Sequence, residues 1–232
     1  IKKPPKSGTI YRNYKKSFSV ILLAVVDADY KFLYTDIGAP GLEGDAGVWQ
    51  TTLLQKDIDN KKAGLPELVK VASSPDVHVP PVFVADDAFP IGQNLLKPYG
   101  DTNLTEEKKI FNYRLSRARR VVENAFGILA NRFRCFHTVI NASPERVTAI
   151  VNAACVLHNF LGSDMSSAPD SCAETSPAVS MLSGPAASRG RIGAVGAALR
   201  DKLCCFFNDK GAVPWQRQSA HLDVNIYRRP RQ

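Results

Sequence analysis

The sequence predicts an α/β protein with one main core and a basic tail. Two kinds of pattern support this class: apolar runs typical of strands at residues 17–38 and 82–85, and apolar spacing typical of helices at residues 105–134 and 144–161. The chain has 232 residues, of which 44% are hydrophobic. That length is enough to bury one substantial core.

Residues 17–38 contain the first strand signal. An almost continuous apolar run is followed by Asp27-Ala28-Asp29 and then by a segment in which apolar and polar residues alternate. The pattern predicts two antiparallel strands joined by a tight turn, in which the aspartates bond their own backbone. Because the first run has no polar face, we expect a central strand that is buried on both faces.

Weaker signals follow the strand pair. A glycine-rich loop at residues 38–47 leads into a helix that we expect over residues 47–58. Asp45 stands at the junction, where the ordinary role of an aspartate is to cap the helix. Residues 57–80 contain three prolines. They predict an irregular connection, with a short helical piece near residues 65–72.

A short apolar strand, Val82–Ala85, ends in two adjacent carboxylates, Asp86 and Asp87. In open α/β sheets the carboxyl ends of the strands are where ligands and catalytic groups collect. Successive strand residues point to opposite faces, so at most one of these acids can belong to any one site. The alternative role for the pair is to begin a turn.

Residues 105–134 predict a long, basic helix. Thr105 is the expected N-cap, and eight Lys or Arg residues against three Glu give the segment a charge of about +5. Glu123 lies at the border of the apolar stripe, where it can either pair with Arg119 one turn away or act as a metal ligand. The apolar residues of the stripe follow one another at steps of four and three: Phe111, Leu115, Ala118, Val122, Phe126, Leu129 and Phe133.

The carboxyl-terminal third changes character twice. Residues 144–161 predict a second helix, and residues 162–190 are so rich in Ser, Ala, Pro and Gly that they predict a flexible linker. Residues 192–207 return to helical spacing before a basic end. The apolar residues expected to face inward are these: Val147, Ile150, Val151, Ala154 and Leu157 in the second helix, and Ile192, Val195, Leu199, Leu203 and Phe206 in the last.

The five cysteines form no CxxC pair, which indicates reduced thiols rather than a disulfide framework or a zinc ribbon. Cys155 and His158 can share one helix face. They are either zinc ligands, together with Cys135 and His137, or a packed cysteine beside a hydrogen-bonded core histidine, which is the favoured interpretation.

The net charge of +8 is clustered, and residues 1–16 carry six basic residues and no acid. Such a surface favours an acidic polymer as partner, nucleic acid first. Lys and Arg of this arm can grip phosphates while Tyr11 and Tyr14 stack on a base; the alternative is a solvated terminus. No apolar run approaches the roughly 20 residues that span a bilayer. We therefore expect a soluble, intracellular protein with no membrane partner.

Several ordered blocks carry a family resemblance: VVDADYKFLYTDIG, GDAGVW, VADDAFP, NYRLSRARRVVENAFGIL, NRFRCF and CVLHNFL. Together they resemble the DDE endonuclease domain of Harbinger-type (PIF/Harbinger) transposases and of their domesticated nuclease relatives. The resemblance implies an RNase H-like mixed sheet flanked by helices. It also implies an endonuclease domain over residues 1–161, which the composition predicts to be followed by a linker at 162–190 and a helical, basic extension at 191–232.

Position within these motifs implies roles for three acids. Asp86 and Glu123 correspond to catalytic, metal-binding acids, and Asp45 to a further metal ligand for Mg²⁺ or Mn²⁺. We expect the carboxylates of Asp86 and Glu123 to converge. The first catalytic aspartate of the family lies on a strand just upstream of the KKPP segment. We therefore expect this chain to lack one ligand and the first strand, and to bind DNA but cleave it little or not at all.

The resemblance also implies DNA as the substrate and the nucleus as the place of action, with the cytoplasm as a second location. A separately encoded Myb-like DNA-binding protein is the implied partner, and an oligomer is compatible. The rival hypothesis is a domesticated protein that binds DNA or assembles without cutting. The residues expected to follow the DNA backbone are Lys2, Lys3, Lys6, Arg12, Lys15, Lys16, Arg117, Arg119 and Arg120.

Overall fold

The structure is a computed structural model that describes residues 1–71, 74–100, 103–162 and 193–220. Helices and short strands mix along the chain, which confirms the α/β class. The helices are α1 (Asp45–Thr51), α2 (Leu53–Asp59), α3 (Glu106–Arg132), α4 (Pro144–Gly162) and α5 (Ala194–Asn208), with a 3₁₀ turn at Arg134–His137. The strands are β1 (Val20–Val26), β2 (Phe32–Pro40), β3 (Val69–Val71), β4 (Ser74–Val79), β5 (Phe83–Val84) and β6 (Leu95–Leu96).

Three sequence predictions concern residues that the structure does not describe. They are the linker beyond residue 162, the inward-facing Ile192 and the basic end after residue 220. Within the described ranges, no helix is both long and apolar enough to cross a membrane.

The predicted strand pair is confirmed: β1 and β2 run antiparallel. Asp27 forms the turn between them, because its Oδ1 accepts the backbone N–H groups of Asp29 and Lys31, each at 2.9 Å. The described strands form three separate two-stranded sheets. Within them β1 pairs with β2 alone, and Leu23 is its one fully buried residue, so the expected central position is wrong for this part of the chain.

Residues 69–79 form a hairpin, although the sequence predicted an irregular excursion with a helical piece. β3 and β4 pair antiparallel, with Val69 opposite Val79. Pro75 lies in β4, and a two-stranded sheet tolerates it because proline is accepted on edge strands, where its missing N–H is not needed. The alternating valines were therefore a better signal than the prolines.

One expected helix is two helices, α1 and α2, divided at Thr52. The Thr52 backbone is extended, and its buried hydroxyl donates to the carbonyl of Trp49 at 2.8 Å while accepting the N–H of Gln55 at 3.1 Å. Asp45 is the first residue of α1 and not its N-cap. Gly44 holds the cap position with a φ of 74°, which an aspartate adopts less readily.

The chain forms two compact units. The first unit comprises Ile1–Lys56 and Arg120–Ala187. Its core joins the β1–β2 hairpin to α4 and to the second half of α3, and its buried residues are Phe32, Ala125, Leu129, Val147, Val151, Ala154 and Cys155. His158 is also buried, and its Nε2 lies 2.9 Å from the carbonyl oxygen of Tyr30. Since a carbonyl only accepts, Nε2 carries the proton, and the favoured interpretation of a core histidine is confirmed.

The second unit comprises Asp57–Arg119 and Ser188–Gln232. In its described part, α5 packs on the first half of α3 and on the segment around β6. The buried residues of this core are Ile91, Leu96, Tyr99, Phe111, Leu115, Leu199, Leu203 and Cys204. A Cβ on Gly196 would lie 2.5 Å from the carbonyl oxygen of Gly92, so only glycine allows this close approach of α5.

The predicted long helices form, but three of their apolar residues point outward. Ala118 is exposed. Leu157 is 47% exposed, since α4 turns His158 inward to reach a carbonyl. Val195 is 65% exposed, since Gly196 is the residue of α5 that meets the core.

Candidate active site

Asp86 lies directly after a strand and begins a turn. The N–H of Ala85 donates to the carbonyl of Leu96 at 2.9 Å, which carries the parallel pairing of β5 and β6 one residue further. Asp86 Oδ1 then accepts the N–H of Ala88 at 2.9 Å. Asp86 is half-buried, and it both follows the strand and begins the turn. The sequence had offered these two roles as alternatives. Its turn fixes one carboxylate oxygen.

Asp87 faces a different partner, a buried lysine. Lys97 Nζ lies 3.1 Å from Asp87 Oδ1 and donates to the Asp87 carbonyl at 3.0 Å. The Lys97 side chain is only 4% exposed. A buried ammonium group needs such a partner, because its desolvation is otherwise uncompensated. Asp86, in contrast, has no cationic partner within the described residues.

Lys97 is the residue that sequence reasoning missed at this strand end. Its signal was available, because it is the single charged residue in the segment LLKPY between the buried Leu96 and Tyr99. A lone charge within an apolar run indicates either a solvent-facing position or a buried ion pair. The sequence does not say which acid supplies the partner.

The other two predicted acids belong to the first unit. Glu123 lies in the middle of α3 and is half-buried, as its predicted place at the border of the apolar stripe requires. Asp45 is half-buried at the start of α1. Asp86 belongs to the second unit. The convergence of Asp86 with Glu123 therefore stays a prediction, and so do the catalytic and metal-binding roles of all three.

The chemistry of these donors suits a divalent ion, since carboxylate oxygens are hard ligands of the kind that Mg²⁺ and Mn²⁺ prefer. In the ranges that the structure describes, however, no three His, Cys, Asp or Glu side chains group closely enough to hold a metal ion. The same finding applies to Cys135, His137, Cys155 and His158, which are all described residues. The interpretation of these four as zinc ligands is therefore wrong.

The cations predicted to contact DNA are mostly on the surface. All six basic residues of the arm are exposed, as are Arg117 and Arg120, whereas Arg119 is half-buried. The guanidinium carbon of Arg117 lies 4.5 Å from the ring centre of Trp215, which is itself 40% exposed. The basic surface thus includes one stacked arginine and aromatic pair in the second unit.

Fold and surface define a basic α/β protein with an acid at a strand end and another on a long cationic helix. The chain belongs to the DDE superfamily endonucleases: the model of that family matches residues 1–159. The predicted family is thereby confirmed.

Two kinds of relative are similar to the chain. "Protein ALP1-like" of Arabidopsis thaliana is 30% identical over 156 residues, which cover 67% of this chain and 38% of that protein. "Putative nuclease HARBI1" of Homo sapiens and of Bos taurus is in each case 27% identical over 175 residues, covering 73% of this chain and 46% of the relative. The chain therefore spans less than half the length of these relatives. No solved structure matches it.

Proposed function

We propose that this protein is a Harbinger-type nuclease that cleaves DNA phosphodiesters with the help of divalent metal ions, acting in the nucleus through an RNase H-like domain. The observation that carries the proposal is the family match over residues 1–159, which contains Asp45, Asp86 and Glu123. The similarity to proteins named putative nuclease supports the same activity.

Each acid has a distinct part in this proposal. Asp86 is held by its own turn, with Oδ1 fixed on the N–H of Ala88, so that the carboxylate is oriented before any ligand arrives. Glu123 is fixed by its place on a long helix and Asp45 by the start of α1. Bound Mg²⁺ or Mn²⁺ would supply charge neutralisation at the phosphate and a more acidic water.

Exposed cations supply affinity. The arm and α3 present Lys and Arg side chains that neutralise phosphates, and such contacts carry little sequence information. Log affinity should therefore fall linearly with log salt, with a slope of about −0.9 for each phosphate neutralised. A Myb-like partner protein, as the resemblance implies, would then supply the choice of sequence.

The test is a plasmid-nicking assay with Mg²⁺ or Mn²⁺, run on this chain and on longer forms that span the length of the relatives. We expect Asp86→Asn and Glu123→Gln each to reduce nicking by about 100-fold or more, since a metal ligand contributes several kcal/mol to the transition state. Matched controls are Asp76→Asn, an exposed acid on β4, and Glu107→Gln, an exposed acid on α3.

The rival function is DNA binding without cleavage, and the same proteins decide between the two. Salt-dependent binding of duplex DNA, with no metal-dependent nicking by any form, would establish the non-catalytic alternative. Full activity in both Asp86→Asn and Glu123→Gln would show that cleavage uses other residues.

A further inference from the structure

The basic arm ends in a small closed loop, which we call the tip loop (residues 13–17). The N–H of Asn13 donates to the carbonyl of Ser17 at 2.8 Å, and the N–H of Lys16 donates to the carbonyl of Asn13 at 2.9 Å. The Asn13 side chain closes the loop from the other side, because its Oδ1 accepts both the N–H and the hydroxyl of Ser17, at 3.1 and 3.0 Å. Four hydrogen bonds therefore hold five residues in one conformation.

The root of the tip loop is fixed to the end of the β1–β2 hairpin. Arg12 and Phe18 form an antiparallel bridge, and the N–H of Ser19 donates to the carbonyl of Tyr11 at 2.8 Å. Gly41 donates to the Ser19 carbonyl in turn, at 3.0 Å. A Cβ on Gly41 would lie 3.0 Å from the carbonyl oxygens of both Ser19 and Tyr11, so the close approach requires glycine.

The tip loop and its root carry an exposed aromatic ring and three exposed cations. The Tyr14 side chain is 52% exposed. Lys15 Nζ lies 5.5 Å from the centre of the Tyr14 ring, and Arg12, Lys15 and Lys16 are all exposed. No acid occurs anywhere in residues 1–16. The solvated-terminus alternative does not explain why the arm is built in this way.

We propose that the tip loop binds an unpaired nucleotide of DNA, with its base stacked on Tyr14 and its flanking phosphates held by Arg12, Lys15 and Lys16. This inference rests on the proposed function only in taking DNA as the substrate. A base inside a duplex has neighbours on both faces, whereas an unpaired base has a free face for an aromatic ring. The ligand is therefore a single-stranded end or overhang and not the duplex body.

The fixed loop makes the contact efficient. A ring that is already in place loses little conformational freedom on binding, so more of the stacking appears as affinity. Stacking on one aromatic side chain is a sequence-tolerant contact, and its loss typically weakens binding roughly five- to a hundredfold. The cations add a salt-dependent contribution that the ring does not.

The experiment measures binding by fluorescence anisotropy with two labelled DNAs, a long blunt duplex and the same duplex with a short single-stranded overhang. We expect Tyr14→Leu to weaken binding of the overhang DNA roughly five- to a hundredfold while leaving affinity for the blunt duplex unchanged. Tyr14→Phe keeps the ring and should bind like the unaltered protein. The matched control is Ile10→Ala, which removes an exposed apolar side chain, 49% exposed, from the same arm.

The outcomes separate this inference from the proposed function. If Tyr14→Leu binds the overhang DNA normally, or loses affinity for both DNAs equally, the stacking site does not exist, even where nicking through Asp86 and Glu123 is intact. If the unaltered protein binds neither DNA, the proposed function and the tip-loop site both fail. Circular dichroism of Tyr14→Leu should match that of the unaltered protein, since the loop bonds are made by other residues.

Discussion

The two units use the same device to join a helix to an extended segment, yet they surround it with different chemistry. In the first unit Asn159 accepts the N–H of Phe32 at 2.8 Å and donates to its carbonyl at 2.9 Å. In the second unit Asn112 makes the same reciprocal pair with Tyr99, again at 2.8 and 2.9 Å. Each amide satisfies both backbone groups of one residue, which a β-strand neighbour would otherwise do.

The surroundings of the two pairs differ in charge. Phe32 meets the edge of His158, with ring centres 5.0 Å apart, and the Nδ1 atom of that histidine has no hydrogen-bond partner within the described residues. Tyr99 lies under the guanidinium of Arg200 at 4.0 Å, and its hydroxyl donates to Asp201 at 2.6 Å. The second core thus contains a permanent charge, Arg200, whose Nε also has no hydrogen-bond partner within the described residues, while the first depends on a group that must stay neutral.

The largest effects should come from apolar residues of the two cores. Leu129→Ala in the first unit should cost about 2–5 kcal/mol and Phe111→Ala in the second about 3–5 kcal/mol, because each leaves a cavity at a site that is at most 1% exposed. Urea unfolding measures the total loss. Leu33→Ala, at a residue 65% exposed, is the control and should change stability little.

Thiol alkylation shows which unit has opened, because the described part of each unit has one buried and one exposed cysteine. Cys155 and Cys204 are buried, and Cys135 and Cys205 are exposed. Burial raises the pKa of Cys155 to about 11, which keeps it unreactive while the unit is closed. Leu129→Ala should speed modification of Cys155, and Phe111→Ala that of Cys204. Equal acceleration of both thiols by either change would mean that the two units open together.

The next largest effect should come from the two asparagines. Asn159→Ala and Asn112→Ala each leave an N–H and a carbonyl of a buried residue, Phe32 or Tyr99, without the amide that satisfies them. An unsatisfied buried group costs about 1–3 kcal/mol, so each variant should lose that amount or slightly more in urea unfolding. Asn131→Ala, at an exposed position of α3, is the control. Markedly unequal losses would show that the two pairs are alike in geometry only.

Local patterns made much of the fold predictable. Apolar periodicity predicted the β1–β2 hairpin and the lengths of α3 and α4, and turn chemistry predicted the aspartate turn. The start of α3 follows from capping by Thr105, whose hydroxyl accepts the N–H of Lys108 at 3.4 Å. At residues 69–79 the prolines and the alternating valines predicted different structures, and the valines indicated the β3–β4 hairpin that is observed. The break at Thr52 was missed because its cause is a buried hydroxyl, and burial depends on the rest of the fold.

The site was predictable only as separate residues. Asp86 at a strand end and Glu123 at a stripe border follow from sequence position, and the structure describes both as half-buried. The Lys97–Asp87 pair joins residues ten apart through space, and nothing in either short segment encodes it. The parallel pairing of β5 with the two-residue β6 was missed for the same reason, since a strand that short has no periodicity.

The smallest effect should be a pH dependence that belongs to the first unit. Burial lowers the pKa of His158, and the nearby Arg132 guanidinium lowers it further, against an opposing effect of the hydrogen bond to the Tyr30 carbonyl. The folded protein therefore binds fewer protons than the unfolded chain once the pH falls below about 6.5, the ordinary histidine value. Stability that is present above that pH is lost as the pH falls toward the folded pKa, by at most about 1.4 kcal/mol per pH unit.

Urea unfolding at a series of pH values from neutral to mildly acidic measures this slope. His158→Gln keeps an N–H donor for the Tyr30 carbonyl but cannot be protonated, so its slope should be flatter than that of the unaltered protein, whatever its stability at neutral pH. His78→Gln, at an exposed position of β4 in the second unit, should keep the full slope. Hydrogen exchange should locate the acid-induced opening in α4 and the β1–β2 hairpin, because His158 of α4 contacts Tyr30 and Phe32 there. A slope that is the same in His158→Gln and in the unaltered protein would mean that the neutral histidine does not set the acid sensitivity of the first core.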